Sequence, residues 1–303
     1  MKDLKEREFA AYPRRFKAYR WYKPILVGLL TVAFYFVFMM MVYLITYFVF
    51  RTNVSTSGYD DLDLFSPAGV FFNSASLAVA VPALFLASKI VKDRPFSSYC
   101  SSMGGWRWKL FVKLFVSGSV VFGIPYIARF LIQGRVSDVR FTSTGLMLMF
   151  LMIPLQCIAE EFINRSFVIQ TVGSWFRLPV IGLIVQVIVF AMLHPYNLIG
   201  VINISISALI FGLLCLCTRG IEAPSVLHIL NNVIGIFFAG MGMGYGQITV
   251  QTTVSSMLWN VGLQLLFLIF VFYADKKLHW FNEVRRDDIE AFDARYLARK
   301  RAS

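Results

Sequence analysis

Long apolar runs separated by short polar segments dominate this chain. A bilayer hydrocarbon core about 30 Å thick is crossed by about 20 apolar residues in a helix, and the runs have that length. The pattern therefore predicts eight spans, over residues 25–50, 68–88, 110–132, 143–175, 179–195, 199–217, 224–240 and 254–274. The predicted fold class is all-α, a polytopic membrane helix bundle of about eight transmembrane helices.

Composition and charge agree with a membrane protein. The chain is 58% hydrophobic and 15% charged, whereas soluble domains have about 25% charged residues. Lys and Arg concentrate in the segments 2–23, 89–113 and 276–301. This is the positive-inside pattern, and with eight spans it places both termini in the cytoplasm. It also argues against nucleic-acid binding. We expect a multi-pass protein of the plasma membrane.

The polar ends and loops complete the predicted topology. We predict one integral membrane domain over residues 1–275 and a basic amphipathic cytoplasmic tail over residues 276–303. Aromatic residues recur at spacings of three and four near the N-terminus, so this arm is either a helix lying on the membrane or an ordinary cytoplasmic arm. They are Phe9, Tyr12, Phe16 and Tyr19.

Two loops bear on the side assignment of the spans. The loop over residues 51–67 contains Asp60, Asp61 and Asp63 against a single Arg, and it is predicted to be external. The short loop 134–140 is also predicted to be external. Its Arg135 and Arg140 run against the charge rule there.

Charged residues interrupt the fourth predicted span. Glu160, Glu161 and Arg165 lie in an apolar segment, where each charge costs about 2.5–3.5 kcal/mol on insertion scales. In a helix Glu161 and Arg165 are one turn apart and can pair. Glu160 points about 100° away and has no cation on its own helix. We therefore take Glu160 as the reactive carboxylate, with Glu161 and Arg165 in a supporting role.

Two of the chain's three histidines lie in or beside predicted spans. His194 follows Phe190 by four residues, and His228 precedes Asn232 by four, so each pair shares a helix face. Counted from the turn between spans four and five, Glu160 and His194 lie at similar depth. The depth of His228 stays open. Phe190 is interpreted as a packing residue.

These residue types suit proton-coupled hydrolysis. A desolvated carboxylate can act as general base for water, and a neutral imidazole can share that water or protonate a leaving amine. An Asn amide can donate to a developing oxyanion. Cys157 lies one turn before Glu160, but the sequence assigns it no histidine partner, so we interpret it as a buried apolar residue. Gln156 is placed to steady Glu160 or to pack.

The motifs Glu-Glu-x-x-x-Arg, Phe-x-x-x-His and His-x-x-x-Asn, in this order, resemble the CPBP family of intramembrane proteases. This family includes the CAAX prenyl endopeptidases and bacterial Abi-type proteins. The resemblance covers about residues 143–240. It implies that Glu160 activates water, that His194 helps to bind it, and that His228 and Asn232 stabilise the oxyanion.

The resemblance also implies an intramembrane endopeptidase that acts on a membrane-associated peptide or protein, with CAAX-type processing as one form. It implies a glutamate mechanism that requires no cofactor or metal. A zinc ion on Glu160, His194 and His228 is the chemical alternative. Two other functions stay open, namely a proton-coupled transporter using the Glu/His cluster and a non-catalytic immunity or regulatory protein of the same fold.

Overall fold

The computed structural model describes residues 8–52, 63–133, 138–242, 252–282, 284 and 288–302. Helices make up 80% of the structure, and no strand forms in the described ranges. The helices are α1 Lys23–Phe50, α2 Pro67–Ala78, α3 Ala80–Val91, α4 Ser97–Cys100, α5 Trp108–Gln133, α6 Ser143–Glu161, α7 Ile169–Phe176, α8 Pro179–Met192, α9 Leu198–Thr218, α10 Glu222–Gly240, α11 Val254–Leu278 and α12 Asp288–Ala302. A π-helical segment, Phe162–Val168, joins α6 to α7.

The predicted spans correspond to these helices. Seven helical segments within the described residues are long and apolar enough to cross a membrane, which confirms a polytopic helical bundle. The fifth predicted span is shorter than expected, because α8 has 14 residues and is only about 21 Å long. The second span is a pair of helices, α2 and α3, that meet at Val79.

The outer surface of the bundle is apolar. Helix α1 directs most of its Leu, Val, Phe and Met side chains outward, and few of its residues are buried. Exposed apolar surface on this scale is unstable in water and is expected for helices in contact with lipid. The chain is an integral membrane protein.

The central helices pack around α6 and α10. Helix α6 packs on α2 and α10, while α9 packs on α8, α10 and α11. The largest apolar cluster is formed by α5, α9, α10 and α11, and Phe267 lies fully buried in it. A second cluster joins α1, α3 and the α4 region to the π-helical segment through Phe162.

The N-terminal arm differs from the predicted surface helix. It forms only a short 3₁₀ helix, Tyr12–Arg15, and Phe9 and Phe16 are buried inside the protein. The Phe16 ring contacts Phe292 of α12 at 5.6 Å between ring centroids. Phe16 therefore packs against α12 and not against lipid. The spacing of the aromatic residues indicated a buried face but not what covers it.

Contacts between the terminal segments put them on the same face of the bundle. The backbone N–H of Lys17 donates to Asp293 of α12 at 2.9 Å. This agrees with an even number of crossings, and the cytoplasmic assignment of that face stays a prediction. The division into a membrane domain and a tail also stays a prediction.

On the opposite face, Asp63 and Arg140 form an ion pair at 2.9 Å. The arginine that runs against the charge rule is thus neutralised by the acidic loop next to it. Asp60, Asp61 and Arg135 lie outside the described residues.

A buried ion pair joins α10 to the segment before α5. Arg107 donates to both carboxylate oxygens of Glu222, from Nε at 3.0 Å and from Nη2 at 2.8 Å. The Arg107 backbone N–H adds a third bond to Glu222 at 2.9 Å. The neighbouring Gly220 has no room for a Cβ atom, which would lie 2.3 Å from Glu222 Oε2. In the sequence, Arg107 is simply one of the basic residues of the segment 89–113.

Polar side chains also connect α9 and α11. Gln264 donates to Ser207 at 2.9 Å, and Asn260 donates to Asn203 at 3.3 Å. Interhelical amide and hydroxyl contacts of this kind stabilise helix association in lipid. These contacts form a polar seam between α9 and α11, which was not predicted from the sequence.

Candidate active site

The two adjacent glutamates face different surroundings. Both lie at the C-terminal end of α6, where successive residues point about 100° apart. Glu161 is fully buried among α9, α10 and the π-helical segment, whereas Glu160 is half-buried beside a cavity. The helix therefore separates a buried carboxylate from a more accessible one. The sequence predicted that the two carboxylates point in different directions, but not their difference in burial.

Glu161 contacts both other members of a buried polar cluster, His228 and Arg165. Its Oε1 accepts a hydrogen bond from His228 Nδ1 at 2.8 Å and lies 3.3 Å from Arg165 Nη1. The predicted contact between Glu161 and Arg165 is therefore present. Because an ionised carboxylate only accepts, the His228 proton lies on Nδ1. The bond also shows that His228 lies at the same depth as Glu161. This depth could not be determined by counting residues along the sequence.

Aromatic rings enclose the arginine. The guanidinium carbon of Arg165 lies 4.3 Å from the ring centroid of Phe190 and 5.1 Å from that of Phe211. A cation over a ring face is stabilised by the ring's quadrupole, more so when both are desolvated. Arg165 thus has its charge balanced by Glu161 and its faces covered by two aromatic side chains.

Phe190 does more than the packing role assigned to it from the sequence. Its ring lies 4.6 Å from the His194 ring and 6.3 Å from the His228 ring, as centroid distances. It also contacts Arg165. One apolar side chain therefore sets the relative positions of both histidines and the buried cation.

His194 follows the end of α8 and has a defined tautomer. Its Nδ1 lies 2.7 Å from the carbonyl oxygen of Phe190. A carbonyl oxygen only accepts, so Nδ1 carries the proton and Nε2 of the neutral ring keeps its lone pair. The imidazole is thereby held with one free basic nitrogen.

Glu160 and His194 line the same cavity. It has a volume of about 450 Å³, within the range of small-ligand sites. Its walls come from α1, the junction of α2 and α3, α6, the π-helical segment and α8, and most of its lining side chains are apolar. Gln156 donates to Glu160 Oε1 at 3.2 Å. The similar depth predicted for Glu160 and His194 is consistent with this arrangement.

The remaining predicted residues lie nearby but do not line this cavity. His228 reaches the cluster through Glu161, and Asn232 lies one turn further along α10. Asn232 Oδ1 accepts from Asn231 at 3.1 Å, which leaves its Nδ2 group as a donor. The structure thus brings Glu160 together with His194, and Glu161 with Arg165 and His228.

Two further residues belong to this region. The Cys157 thiol lies beside His228, a partner that the sequence could not supply, but the thiol is fully buried. Asn164 lines the cavity and donates to the Glu160 carbonyl oxygen at 2.9 Å. Asn164 was not predicted as a site residue, although an amide one turn after Glu160 inside an apolar span is itself a signal.

A zinc ion on Glu160, His194 and His228 stays a prediction. Among the described residues, no group of three or more His, Cys, Asp or Glu side chains is placed to hold a metal ion. No step below is routed through a metal.

Fold and site together define a polytopic helical membrane protein with a carboxylate–imidazole cluster inside its bundle. Residues 142–234 match the family described as type II CAAX prenyl endopeptidase Rce1-like. This segment contains all three motifs, and the match supports the resemblance to the CPBP/CAAX protease family. No curated protein and no solved structure matches the chain.

Proposed function

We propose that this protein is an intramembrane endopeptidase in which Glu160 activates the attacking water. The observation that carries the proposal is the shared cavity of Glu160, at the end of α6, and His194, just after α8. A carboxylate and a basic imidazole nitrogen beside one space can hold a water molecule between them. The protease family of residues 142–234 supports this chemistry.

The steps follow from the residues present. Glu160 removes a proton from water, and the resulting hydroxide attacks the carbonyl carbon of the scissile peptide bond. When the tetrahedral intermediate collapses, the C–N bond breaks and the proton held by Glu160 passes to the leaving amine. Water and peptide are thus converted to a carboxylic acid and an amine.

Oxyanion stabilisation is assigned to His228 and Asn232. Because His228 Nδ1 donates to Glu161, its Nε2 is a donor only when the ring is an imidazolium. Asn232 Nδ2 is a donor in every protonation state. Arg165 balances the charge of Glu161 and does not enter the reaction.

The substrate is a membrane-associated peptide or protein, and CAAX-type processing is the form that the family supports. The apolar cavity wall and the surrounding lipid-facing helices suit such a substrate. The mechanism needs no cofactor. From the charge distribution we place both termini in the cytoplasm. We expect the membrane to be the plasma membrane.

The test compares membrane proteomes of cells that carry the wild type or Glu160→Gln, by peptide-terminus mass spectrometry. We expect new termini with the wild type alone, and these identify the substrate and the cleavage position. Equal amounts of folded protein in the two membranes are the control. Identical termini in both strains would exclude the peptidase. A Glu160-dependent ion or solute flux without cleavage would then favour the transporter alternative.

A further inference from the structure

Tyr196 lies beside the proposed water site, and the proposed mechanism assigns it no role. Its ring stacks against the His194 ring, with 5.5 Å between the ring centroids and 30° between the ring planes. Partial burial and then the negative charge of Glu160 raise the pKa of the Tyr196 hydroxyl group. Tyr196 is therefore near both groups that are proposed to hold the attacking water.

The sequence His194-Pro195-Tyr196 explains why this ring returns to the histidine. The Tyr196 backbone N–H donates to the His194 carbonyl oxygen at 2.9 Å, which closes a three-residue turn with Pro195 at its centre. An inverse γ-turn has a central φ of about −75°, and a proline ring fixes φ at about −65°. Proline therefore suits the centre of this turn, and the turn keeps the two aromatic side chains adjacent.

The chain after the turn is anchored to the start of α11. Asn197 Oδ1 accepts from the Gly200 backbone N–H at 2.9 Å and so caps the start of α9. The same side chain bridges to Thr252, donating to its carbonyl oxygen at 3.0 Å and accepting from its N–H at 3.2 Å. Thr252 directly precedes Thr253, the N-cap of α11. The turn is thus held between the end of α8 and the start of α11.

His194 itself lies outside regular helix, because α8 ends at Met192. The neighbouring Leu193 is 67% exposed, so this end of the helix is sparsely covered. The imidazole is held by the hydrogen bond of Nδ1 to the Phe190 carbonyl and by contacts with two rings, those of Phe190 and Tyr196. Tyr196 is 38% exposed, so its ring adds little to the apolar core.

We propose that Tyr196 is a positioning residue, whose ring holds the His194 imidazole with Nε2 directed at the water beside Glu160. The inference rests on the proposed peptidase function and adds a residue that acts through His194 without contacting the reacting atoms. Loss of the ring lets the imidazole rotate away from the Phe190 carbonyl, so fewer molecules keep Nδ1 protonated and Nε2 free. A misplaced catalytic group slows the chemical step more than it weakens substrate binding.

The first experiment uses a quenched fluorescent peptide that spans the cleavage site identified by terminus mass spectrometry. Tyr196→Leu removes the ring, and we expect kcat to fall roughly tenfold with KM nearly unchanged. Tyr196→Phe keeps the ring and should restore most of the wild-type kcat. Tyr47→Leu is the matched control and should leave kcat unchanged. Tyr47 is 44% exposed, contacts the Phe48 ring at 5.0 Å between centroids, and does not line the cavity.

The second experiment is independent of cleavage. The chain has three histidines, so nitrogen NMR of isotope-labelled imidazole rings gives few signals, and His194→Gln identifies the His194 signal by its loss. We expect the wild type and Tyr196→Phe to show one neutral form of His194, protonated at Nδ1, and Tyr196→Leu to show a mixture of both neutral tautomers. Pro195→Ala keeps both side chains and loosens the turn. It gives the same test if thermal melting shows that Tyr196→Leu is unfolded.

The outcomes separate this inference from the function on which it rests. If Tyr196→Leu keeps either the wild-type kcat or the wild-type His194 signal, the ring does not position the histidine, and the peptidase assignment stands. If Tyr196→Phe loses as much activity as Tyr196→Leu, the hydroxyl group acts and not the ring, which also overturns the inference. If the wild type cleaves no peptide, or if Glu160→Gln cleaves as well as the wild type, the proposed function itself fails, while the NMR spectra still test the position of His194.

Discussion

Glu222 and Glu160 are both helix-borne carboxylates held away from bulk water, and their surroundings differ. Glu222 accepts three hydrogen bonds, all from Arg107, with donor–acceptor distances of 2.9, 3.0 and 2.8 Å. Glu160 accepts one, from Gln156 at 3.2 Å, and borders a cavity. In the described residues, Glu160 has no ion pair within 4.0 Å.

The comparison separates a carboxylate that completes the fold from one that is available for chemistry. A buried charge with a full set of partners can be removed only at a large cost in stability. A carboxylate with spare acceptor capacity beside a cavity contributes little to stability and can take a proton from water. Glu161 is intermediate, because Oε1 is shared by His228 and Arg165 while Oε2 has no hydrogen bond in the described part of the chain.

The largest expected effect is on activity. Glu160→Gln keeps the size of the side chain and removes the general base, so we expect cleavage to fall by at least about 10²–10⁴-fold. Stability should change little, since no ion pair is lost. Cleavage of a fluorescent peptide that spans the cleavage site measures the activity, and thermal unfolding in detergent measures the stability. A large loss of stability with residual activity would place Glu160 with Glu222 as a structural carboxylate.

The reverse pattern is expected at Glu222. Glu222→Gln leaves the Arg107 guanidinium buried without a counter-charge, which costs about 3–5 kcal/mol in comparable pairs. The double variant Arg107→Leu/Glu222→Leu should recover part of that loss, because it removes both charges. Unfolding by heat or denaturant in detergent gives the free energies. Equal stability of Glu222→Gln and wild type would show that the ion pair is dispensable.

The third prediction tests whether Phe190 orders the site. Phe190→Leu removes the ring between the two histidines and Arg165, and we expect kcat to fall roughly tenfold to hundredfold through misplaced groups. Phe267→Leu is the control, because Phe267 is equally buried but lies on α11, in the apolar cluster that this helix forms with α5, α9 and α10. Both variants should lose stability, and only Phe190→Leu should lose kcat. Equal activity of the two variants would show that Phe190 only packs and does not order the site.

Sequence patterns predicted much of this organisation for identifiable reasons. Apolar runs located all eight helical segments, since lipid demands length and hydrophobicity and little else. The offset of four residues correctly paired Glu161 with Arg165, and counting from the turn after α7 put Glu160 and His194 at similar depth. These are local properties of single helices or of one hairpin.

What sequence reasoning missed depends on how helices are rotated against one another. The bond between Glu161 and His228 joins residues 67 positions apart, and no periodicity specifies it. The same holds for Arg107 with Glu222 and for the ring of Phe190 among three partners. The hydrophobic pattern also predicted neither the π-helical segment nor the short length of α8.

A smaller effect is expected at Gln156, which makes the one hydrogen bond to Glu160. Gln156→Leu has similar volume and should lower kcat/KM roughly three- to tenfold, the worth of one net hydrogen bond. Gln264→Leu is the control, since Gln264 donates to Ser207 in the seam of α9 and α11. It should affect stability and not kcat. Unchanged activity in Gln156→Leu would mean that Glu160 needs no support from this amide.

The smallest effect concerns Asp93, a third buried carboxylate, in the loop after α3. Burial raises the pKa of its carboxyl group above the usual value, and the positive charges of Arg94 and Lys23 only partly oppose this. A raised pKa means that the folded state holds this proton more tightly than the unfolded chain does. The stabilisation from protonation is therefore complete below about pH 4, the ordinary Asp value, and is lost as the pH rises through the folded-state pKa.

Asp93→Asn imitates the protonated carboxyl group, so we expect it to be more stable than the wild type at pH 7–8, by roughly 1 kcal/mol. The difference should shrink as the pH falls towards about 4, where the wild type is itself protonated. Thermal unfolding in detergent over this pH range measures it. Glu222→Gln should show the opposite sign at neutral pH, because Glu222 has the hydrogen-bonding partners that Asp93 lacks among the described residues. If Asp93→Asn were also destabilising at neutral pH, the contact of Asp93 with Arg94 at 3.7 Å would be a structural ion pair of the same kind as Arg107 with Glu222.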